Sequence, residues 1–443
     1  MTRICVIGSW HLSSVMATCL AEVGHVVRNV HDDVDAIEGL QRGEPPVHEP
    51  DMKESIANNV AEKRLSFWTD YAAALKGIGI AFLSVDTQIL PDGSIDLGTV
   101  LQAARDAAKA ASRDLILVVA SQVPVGTCDQ IQKTARKVSK HHVDVVCNPE
   151  FLRLGGAMEL QRHPDRVVLG ADDPKVANKV GKLFEPFDAP IMTMGLRDAE
   201  IVKHAANAYV ANSVSFIGEI MQVCDDYAAD CYNVGRALKA DRRIGRYAYV
   251  MPGLGFNGGT VRRDVNLIKK LAADKGRTAP LMQAILDVNE RTNGAIVERL
   301  AALLKNPDGK KIGLLGLTYK AATSTLRHSL TLQIAEKMLA HGMVLQAFDP
   351  VIGADRVAPR GSEHEWEVPD SIRLCGSIEE AAKGAHALVV MTNKDEFKNL
   401  KLGKLGASMR RKILVDPVDF YDAETAAKHG FKYIALGKGY LWR

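Results

Sequence analysis

Two side chains four residues apart, Lys203 and Asn207 in EIVKHAANAYVANSVSFIGEI, fall on one face of a helix if this stretch is helical. A cation and an amide then point into the same space. Downstream, MPGLGFNGGTVRRD holds Gly253, Gly255, Gly258 and Gly259 and ends on the carboxylate of Asp264. Glycines at this density let backbone approach a ligand closely. A cation with nearby dipoles stabilises a developing alkoxide, and a carboxylate, or water held by one, takes a proton. The plainer alternative places Lys203 in solvent and leaves Asn207 a polar helix residue, which is the usual fate of charged helix positions.

K-x-x-x-N followed by PGxGFxGG…D resembles the UDP-glucose/GDP-mannose dehydrogenase family, and the AANA context with the glycine loop at the family's distance favours the chemical alternative. The resemblance implies NAD as cofactor and a nucleotide sugar as substrate. It further implies two successive oxidations, the second through a cysteine thiohemiacetal and thioester, giving a uronic acid. In the loop similar to the family's GFGGSCFPKD, the cysteine position is Thr260. Carried over on this resemblance, Lys203, Asn207, Asp264, Thr260 and Glu150 are the catalytic positions, and Phe256 and Gly258 contact substrate.

The elements that position these residues begin with the apolar run RICVIG, a helical spacing from Leu12 to Val23, and the strand HVVRNV up to His31. This is the opening of a dinucleotide-binding fold. Its fingerprint is altered. GSWHLS stands where GxGxxG is expected, keeping Gly8 but placing Trp10 and Ser13 at the second and third glycines, with His11 and Leu12 between them. The second glycine admits backbone to the pyrophosphate and the third lets helix pack on strand. The ribose-binding acid is replaced by His31, with Asp32 one place later. Weakened NAD binding is the expectation from these departures.

Further on, AIEGLQRGEPPVHEP resembles the family's EP-containing loop, and SQVPVGT echoes STVPVGT with Gln122 at the threonine beside the catalytic water and the cofactor. CNPEFLRLGGA is similar to NPEFLREGxA, which wraps the nucleotide sugar. Glu150, Phe151, Leu152 and Arg153 match, and Leu154 replaces the second glutamate. Arg243 is similar to an arginine that crosses a dimer to the sugar nucleotide. In KAATSTLRHS, Lys320, Thr323, Arg327 and Ser329 match the family's KxxTDDxRxS substrate loop, with Ser324 and Thr325 in place of its aspartates.

The fold expected is α/β, with two Rossmann-like doubly wound domains joined by a long central helical region. The boundaries expected are 1–197 for the dinucleotide-binding-like domain, 198–304 for the helical and dimerisation domain, and 305–443 for the sugar-nucleotide domain. The chain has 443 residues, 47% hydrophobic, enough for several cores. A formal charge of +3 and the absence of long basic runs argue against nucleic acid as a partner. No apolar stretch reads as a signal peptide or membrane span, so a cytoplasmic homodimer is expected. Seven cysteines without CxxC spacing read as reduced thiols, and the adjacent His141 and His142 suit solvent better than a metal.

Three functions fit these residues. One is a redirected enzyme performing a two-electron oxidation or an epimerisation of a UDP-sugar. The second is a non-catalytic sugar-nucleotide-binding or partner protein, and the third an ordinary UDP-glucose 6-dehydrogenase. All of them except the pure partner role require a UDP-type sugar nucleotide to bind. Calorimetric titration with UDP-glucose, UDP-glucuronate and GDP-mannose should give saturable heat with at least one UDP-sugar; silence at millimolar concentrations of all three would remove the ligand class.

Overall fold

The structure is a computed structural model describing residues 1–88, 90, 95–256, 259–321, 323, 325–353, 367–417 and 419–439. The chain divides into two compact units, one over Met1–Ala206 and one from Asn207 onward. The first unit contains β1 (Arg3–Ile7), β2 (Val26–Val30), β3 (Leu65–Trp68), β4 (Ile80–Leu83), β5 (Leu115–Val119), β6 (Val143–Cys147), β7 (Val167–Ala171) and β8 (Ile191–Met194). They form one sheet in the order β3-β2-β1-β4-β5-β6-β7-β8, parallel except where β7 runs against β6. Such strands, buried on both faces, read as continuous apolar runs. In β1 the alternation is visible: Ile4 and Val6 join the core on one face, Cys5 and Ile7 that on the other.

The strand order reverses between β1 and β4, so Gly8–Trp10 and Ser84–Thr87 lie together at the carboxyl ends of neighbouring strands. In open α/β sheets, ligands bind at this switch point. The first helix, His11–Glu22, starts directly after β1.

The helix anticipated from Glu200 begins earlier and runs from Leu196 to Asp226, 31 residues. Its later turns belong to the second unit. There Ala208 and Ala211 pack with Phe256, Val265, Ile285 and Leu286, which seats the glycine loop and the helix Thr260–Ala273 against the helix Pro280–Leu304. The same unit holds a six-stranded parallel sheet of β9 (Lys311–Leu315), β10 (Val344–Phe348), β11 (Ile372–Leu374), β12 (Ala387–Val390), β13 (Ile413–Asp416) and β14 (Lys432–Ala435), in the order β11-β10-β9-β12-β13-β14. Its switch point is between β9 and β12. The structure is thus α/β with two Rossmann-like sheets and a long central helix. Among the described residues no helix is long and apolar enough to cross a membrane.

Gly313 in β9 has its α-carbon face against the helix Ile378–Ala382: a β-carbon there would lie 2.5 Å from the Ala381 carbonyl oxygen and 2.8 Å from Leu388 Cδ1. Gly313→Ala should therefore force the sheet and helix apart and destabilise the second unit by about 1–3 kcal/mol. Urea unfolding followed in that unit measures it, and an unchanged midpoint would mean that the backbone relaxes freely.

Candidate functional site

In the first unit, β6 delivers Asn148 and Glu150 at its carboxyl end. Asn148 is fixed by donating from Nδ2 to the Val168 carbonyl at 3.0 Å. Glu150 then meets Lys203, whose ammonium donates to the Glu150 carbonyl at 2.5 Å and to Oε1 at 3.1 Å. Both side chains are more than nine-tenths buried. The exposed lysine of the plainer alternative is thereby corrected: a buried ammonium needs such a partner. The other Glu150 oxygen accepts the Leu152 N–H at 2.7 Å, so the carboxylate also sets the start of the loop Phe151–Gly156. The Phe151 ring lies 5.5 Å from Lys203 Nζ and 4.0 Å from the Arg166 guanidinium, a pair of cation–π contacts. Leu152 is half-buried and Arg153 exposed.

Lys203 and Glu150 line a cavity with Gln122, Cys147, Glu200 and His204. Glu200 accepts the N–H groups of Gly126 at 2.6 Å and Cys128 at 2.7 Å, capping the helix Thr127–Val138 from outside. His204 Nε2 lies 2.8 Å from the Val123 carbonyl. Glu200 and His204 are one turn apart on the long helix, so together they hang the Gln122–Cys128 segment beside Lys203.

At the dinucleotide turn, Gly8 has φ +141, and a β-carbon there would lie 2.3 Å from the Ser84 carbonyl oxygen. Its own carbonyl accepts from Asn29 Nδ2 at 2.7 Å. Trp10 is the N-cap of the first helix, at φ −84 and ψ 176, an extended conformation open to any residue. Ser13 is fully buried and its hydroxyl donates back to the Trp10 carbonyl at 2.7 Å, so the helix packs without the third glycine. No side chain caps this helix and its first turn holds no acidic residue, which leaves its first N–H groups open to an anion. At the end of β2, His31 Nδ1 accepts the Asp33 N–H at 3.0 Å while the Asp32 carboxylate is 86% exposed. The backbone cradle and the exposed carboxylate of Asp32, which lies 3.2 Å from His31 Nδ1, fit a dinucleotide. Leu12 is half-buried beside that cradle, but the His11 ring is not: it is turned inward, fully buried, with Nε2 2.8 Å from Glu49 Oε2. Of His11, only the backbone faces the cradle.

In the second unit, Asn207 Nδ2 donates to Asp264 Oδ2 at 2.5 Å, and Asp264 is fully buried. Thr260 is the exposed first residue of a 14-residue helix whose N-cap, Gly259, supplies no side chain. The glycine loop is read by Asn289, which accepts the Phe256 N–H at 2.7 Å and donates to the Phe256 carbonyl at 3.0 Å. A β-carbon on Gly255, at φ +89, would lie 2.5 Å from Asn289 Oδ1. Gly258 lies outside the described residues. The loop after β9 reaches the same place, since a β-carbon on Gly259 would lie 3.4 Å from His328 Cδ2. In that loop Lys320 is exposed, the Arg327 N–H donates to Thr325 Oγ1 at 3.1 Å, and Ser329 caps the helix Leu330–Ala340. Its start is fixed by Asp349, which accepts from Leu317 N at 2.7 Å and pairs with buried Lys394 at 3.1 Å. Arg243 is an exposed residue paired with Asp241.

Comparison with known proteins decides what this arrangement belongs to. Residues 2–188 match the NAD binding domain of the UDP-glucose/GDP-mannose dehydrogenase family, 197–291 its central domain and 313–423 its UDP binding domain. The chain belongs to that family. It is 32% identical over 438 residues to UDP-glucose 6-dehydrogenase YwqF of Bacillus subtilis, covering 98% of each chain. It is 33% identical to the UDP-glucose 6-dehydrogenase of Pseudomonas aeruginosa, covering 98% of this chain and 97% of the relative. A solved UDP-glucose dehydrogenase from Pyrobaculum islandicum superposes with a TM-score of 0.87 at 28% identity, over 99% of this chain and 98% of that one. As a member of the family, the chain is an NAD-linked oxidoreductase in type.

Glu49, Asn289, Asp349 and Lys394 escaped the residue-by-residue reading. Only Glu49 left a signal, the EP loop that marked kinship without suggesting chemistry. Its carboxylate accepts from Gly155 N at 2.9 Å and Ala157 N at 2.6 Å as well as meeting His11. Burial acts to raise its pKa, but the His11 hydrogen bond and the two N–H groups outweigh that and hold it below the ordinary carboxylate range. A carboxyl with a depressed folded-state pKa stabilises above its unfolded value, and that stability is lost as pH falls through the folded value. Glu49→Gln should therefore cost about 2 kcal/mol at neutral pH, with the gap to wild type closing below about pH 4. Urea unfolding across that range measures it; a constant gap would mean that the charge is not the source.

Proposed function

We propose that this protein binds a UDP-type sugar nucleotide and oxidises one sugar alcohol by two electrons, stopping at the carbonyl. The observation that carries this reading is Thr260, standing exposed at the helix N-terminus where the family resemblance requires a thiol. NAD, when bound, supplies the hydride acceptor. The carbinol C–H bond breaks with its electron pair leaving as hydride, the hydroxyl proton passes to a base, and the C=O bond forms. The Lys203 ammonium stabilises the developing alkoxide, while Asp264, oriented by Asn207, takes or relays the proton.

The acid-forming step needs a thiolate. A threonine hydroxyl ionises far above neutral pH and is a poor substitute. None of the seven cysteines lies in the glycine loop, and six are buried. Burial pushes the Cys5 and Cys231 thiols up to about 12, and raises that of Cys375 as well. Gln122 and Leu154 replace two further residues that the resemblance assigns to this half-reaction, which supports its loss.

A second reading, a non-catalytic sugar-nucleotide binder, is favoured by Trp10 and Ser13 at the fingerprint glycines. Pairing into a homodimer is supported in either case by Tyr209, Phe216, Val223 and Tyr227, exposed large apolar residues recurring along the long helix and just past its end.

Incubation with UDP-glucose or another UDP-sugar and NAD should yield one NADH per sugar consumed and an aldehyde trapped by hydroxylamine. Two NADH with a uronate would sink the two-electron limit, and no NADH with intact sugar binding would favour the binder. Thr260→Cys should restore thioester formation but hydrolyse it slowly, so that a covalent sugar-nucleotide adduct accumulates in the intact mass.

A further inference from the structure

The loop Phe151–Gly156 carries the residues matched to sugar-nucleotide binding and has no helix or strand of its own. Two carboxylates shape it. Glu150 accepts the Leu152 N–H at its start and holds Lys203 with its other oxygen. Glu49 accepts the N–H groups of Gly155 and Ala157 at its end. The second carboxylate is anchored in turn by His11, and a carboxylate only accepts, so Nε2 of His11 carries the shared proton. His11 is the first residue of the helix whose uncapped N-terminus forms the dinucleotide cradle. One oxygen, Glu49 Oε2, serves both His11 Nε2 and Gly155 N.

We infer that His11 and Glu49 are positioning residues that couple the dinucleotide cradle to the sugar-nucleotide loop. All of the contacts lie inside the first unit, and His11 and Glu49 are both almost fully buried, so no solvent stands in for a lost partner. A shift of the loop that changes the Gly155 contact changes the acceptor that His11 meets. The His11 ring shares its backbone with the first turn of the helix, so the strain passes to the N–H groups that face a pyrophosphate. Conversely, an anion seated on those N–H groups fixes His11, and through Glu49 the loop end. Gly155, at φ +81, is the point where the loop backbone turns to meet Glu49. Coupling of this kind is reciprocal: each ligand tightens the other by the same factor. The inference rests on the reading that the protein takes both NAD and a UDP-sugar, but it makes no demand on the reaction that follows.

The test is the affinity for UDP-glucose, by calorimetry on the full-length protein, without and with saturating NADH, the reduced cofactor that cannot accept a hydride and so allows no turnover. Wild type should bind about fivefold or more tighter with the cofactor present. His11→Phe, which keeps a ring of similar volume and loses the donor, should bring the ratio near one. His11→Gln, whose amide can still donate to Glu49, should restore most of it, and Glu49→Gln should lower it. Thermal unfolding of each variant controls for misfolding. Wild type without a cofactor effect overturns the inference. So does a His11→Phe protein that loses affinity for both ligands yet keeps the wild-type ratio, which is the signature of a merely structural contact. Because this is a binding measurement, it can fail while the NADH stoichiometry stands, and the stoichiometry can fail while the coupling stands.

Discussion

The buried contact between Lys203 and Glu150 constrains several parts of the first unit at once. An ammonium removed from water costs several kcal/mol unless a partner recovers it. Here recovery comes from one carboxylate oxygen and one carbonyl oxygen of the same residue. This requires β6 to end where it does and the long helix to present Lys203 at that height. It also requires the loop after β6 to leave in the direction set by the second Glu150 oxygen. The cavity wall, the loop and the helix start are thus consequences of one pairing, and the Phe151 ring between nearby cations adds to the same cluster.

Backbone amides read by distant side chains recur at three further places in the structure. Glu200 caps a helix 72 residues away, Glu49 holds a loop more than 100 residues away, and Asn289 reads Phe256 as a strand partner would. Loops in such places have no regular ladder to satisfy their N–H groups, and buried amides left unpaired are costly. Borrowed carboxylates and amides solve both problems and hold ligand-facing backbone in place.

These long-range contacts mark the limit of what could be read from the chain alone. The two parallel sheets, the long helix and the Lys203–Asn207 spacing follow from local periodicity and apolar runs, which are properties of neighbouring residues. NPEF and the glycine loop were legible because they resemble motifs of the family. The His11–Glu49 contact was not, since nothing in a 38-residue separation signals proximity, and His11 in the fingerprint suggested cofactor contact rather than a buried ring. Ser13 stands where the third glycine would let helix pack on strand. Its hydroxyl instead returns to the Trp10 carbonyl within the first turn, a local solution that composition does not reveal.

The substitutions in the site sort by the kind of chemistry each position serves. Positions to which the resemblance assigns charge and dipole, Lys203, Glu150, Asn207 and Asp264, are present, buried or half-buried, and paired. Positions to which the resemblance assigns nucleophilicity or the handling of water are occupied by Thr260, Gln122 and Leu154. Electrostatic groups are useful both for holding sugar hydroxyls and for stabilising an alkoxide, so they alone do not distinguish a binder from an oxidant. A nucleophile has no such second use. Its replacement by an exposed threonine at an uncapped helix N-terminus leaves a position that can still orient a polar substrate but cannot form a thioester. That loss of a nucleophile is the physical ground for the proposal that oxidation stops at the carbonyl.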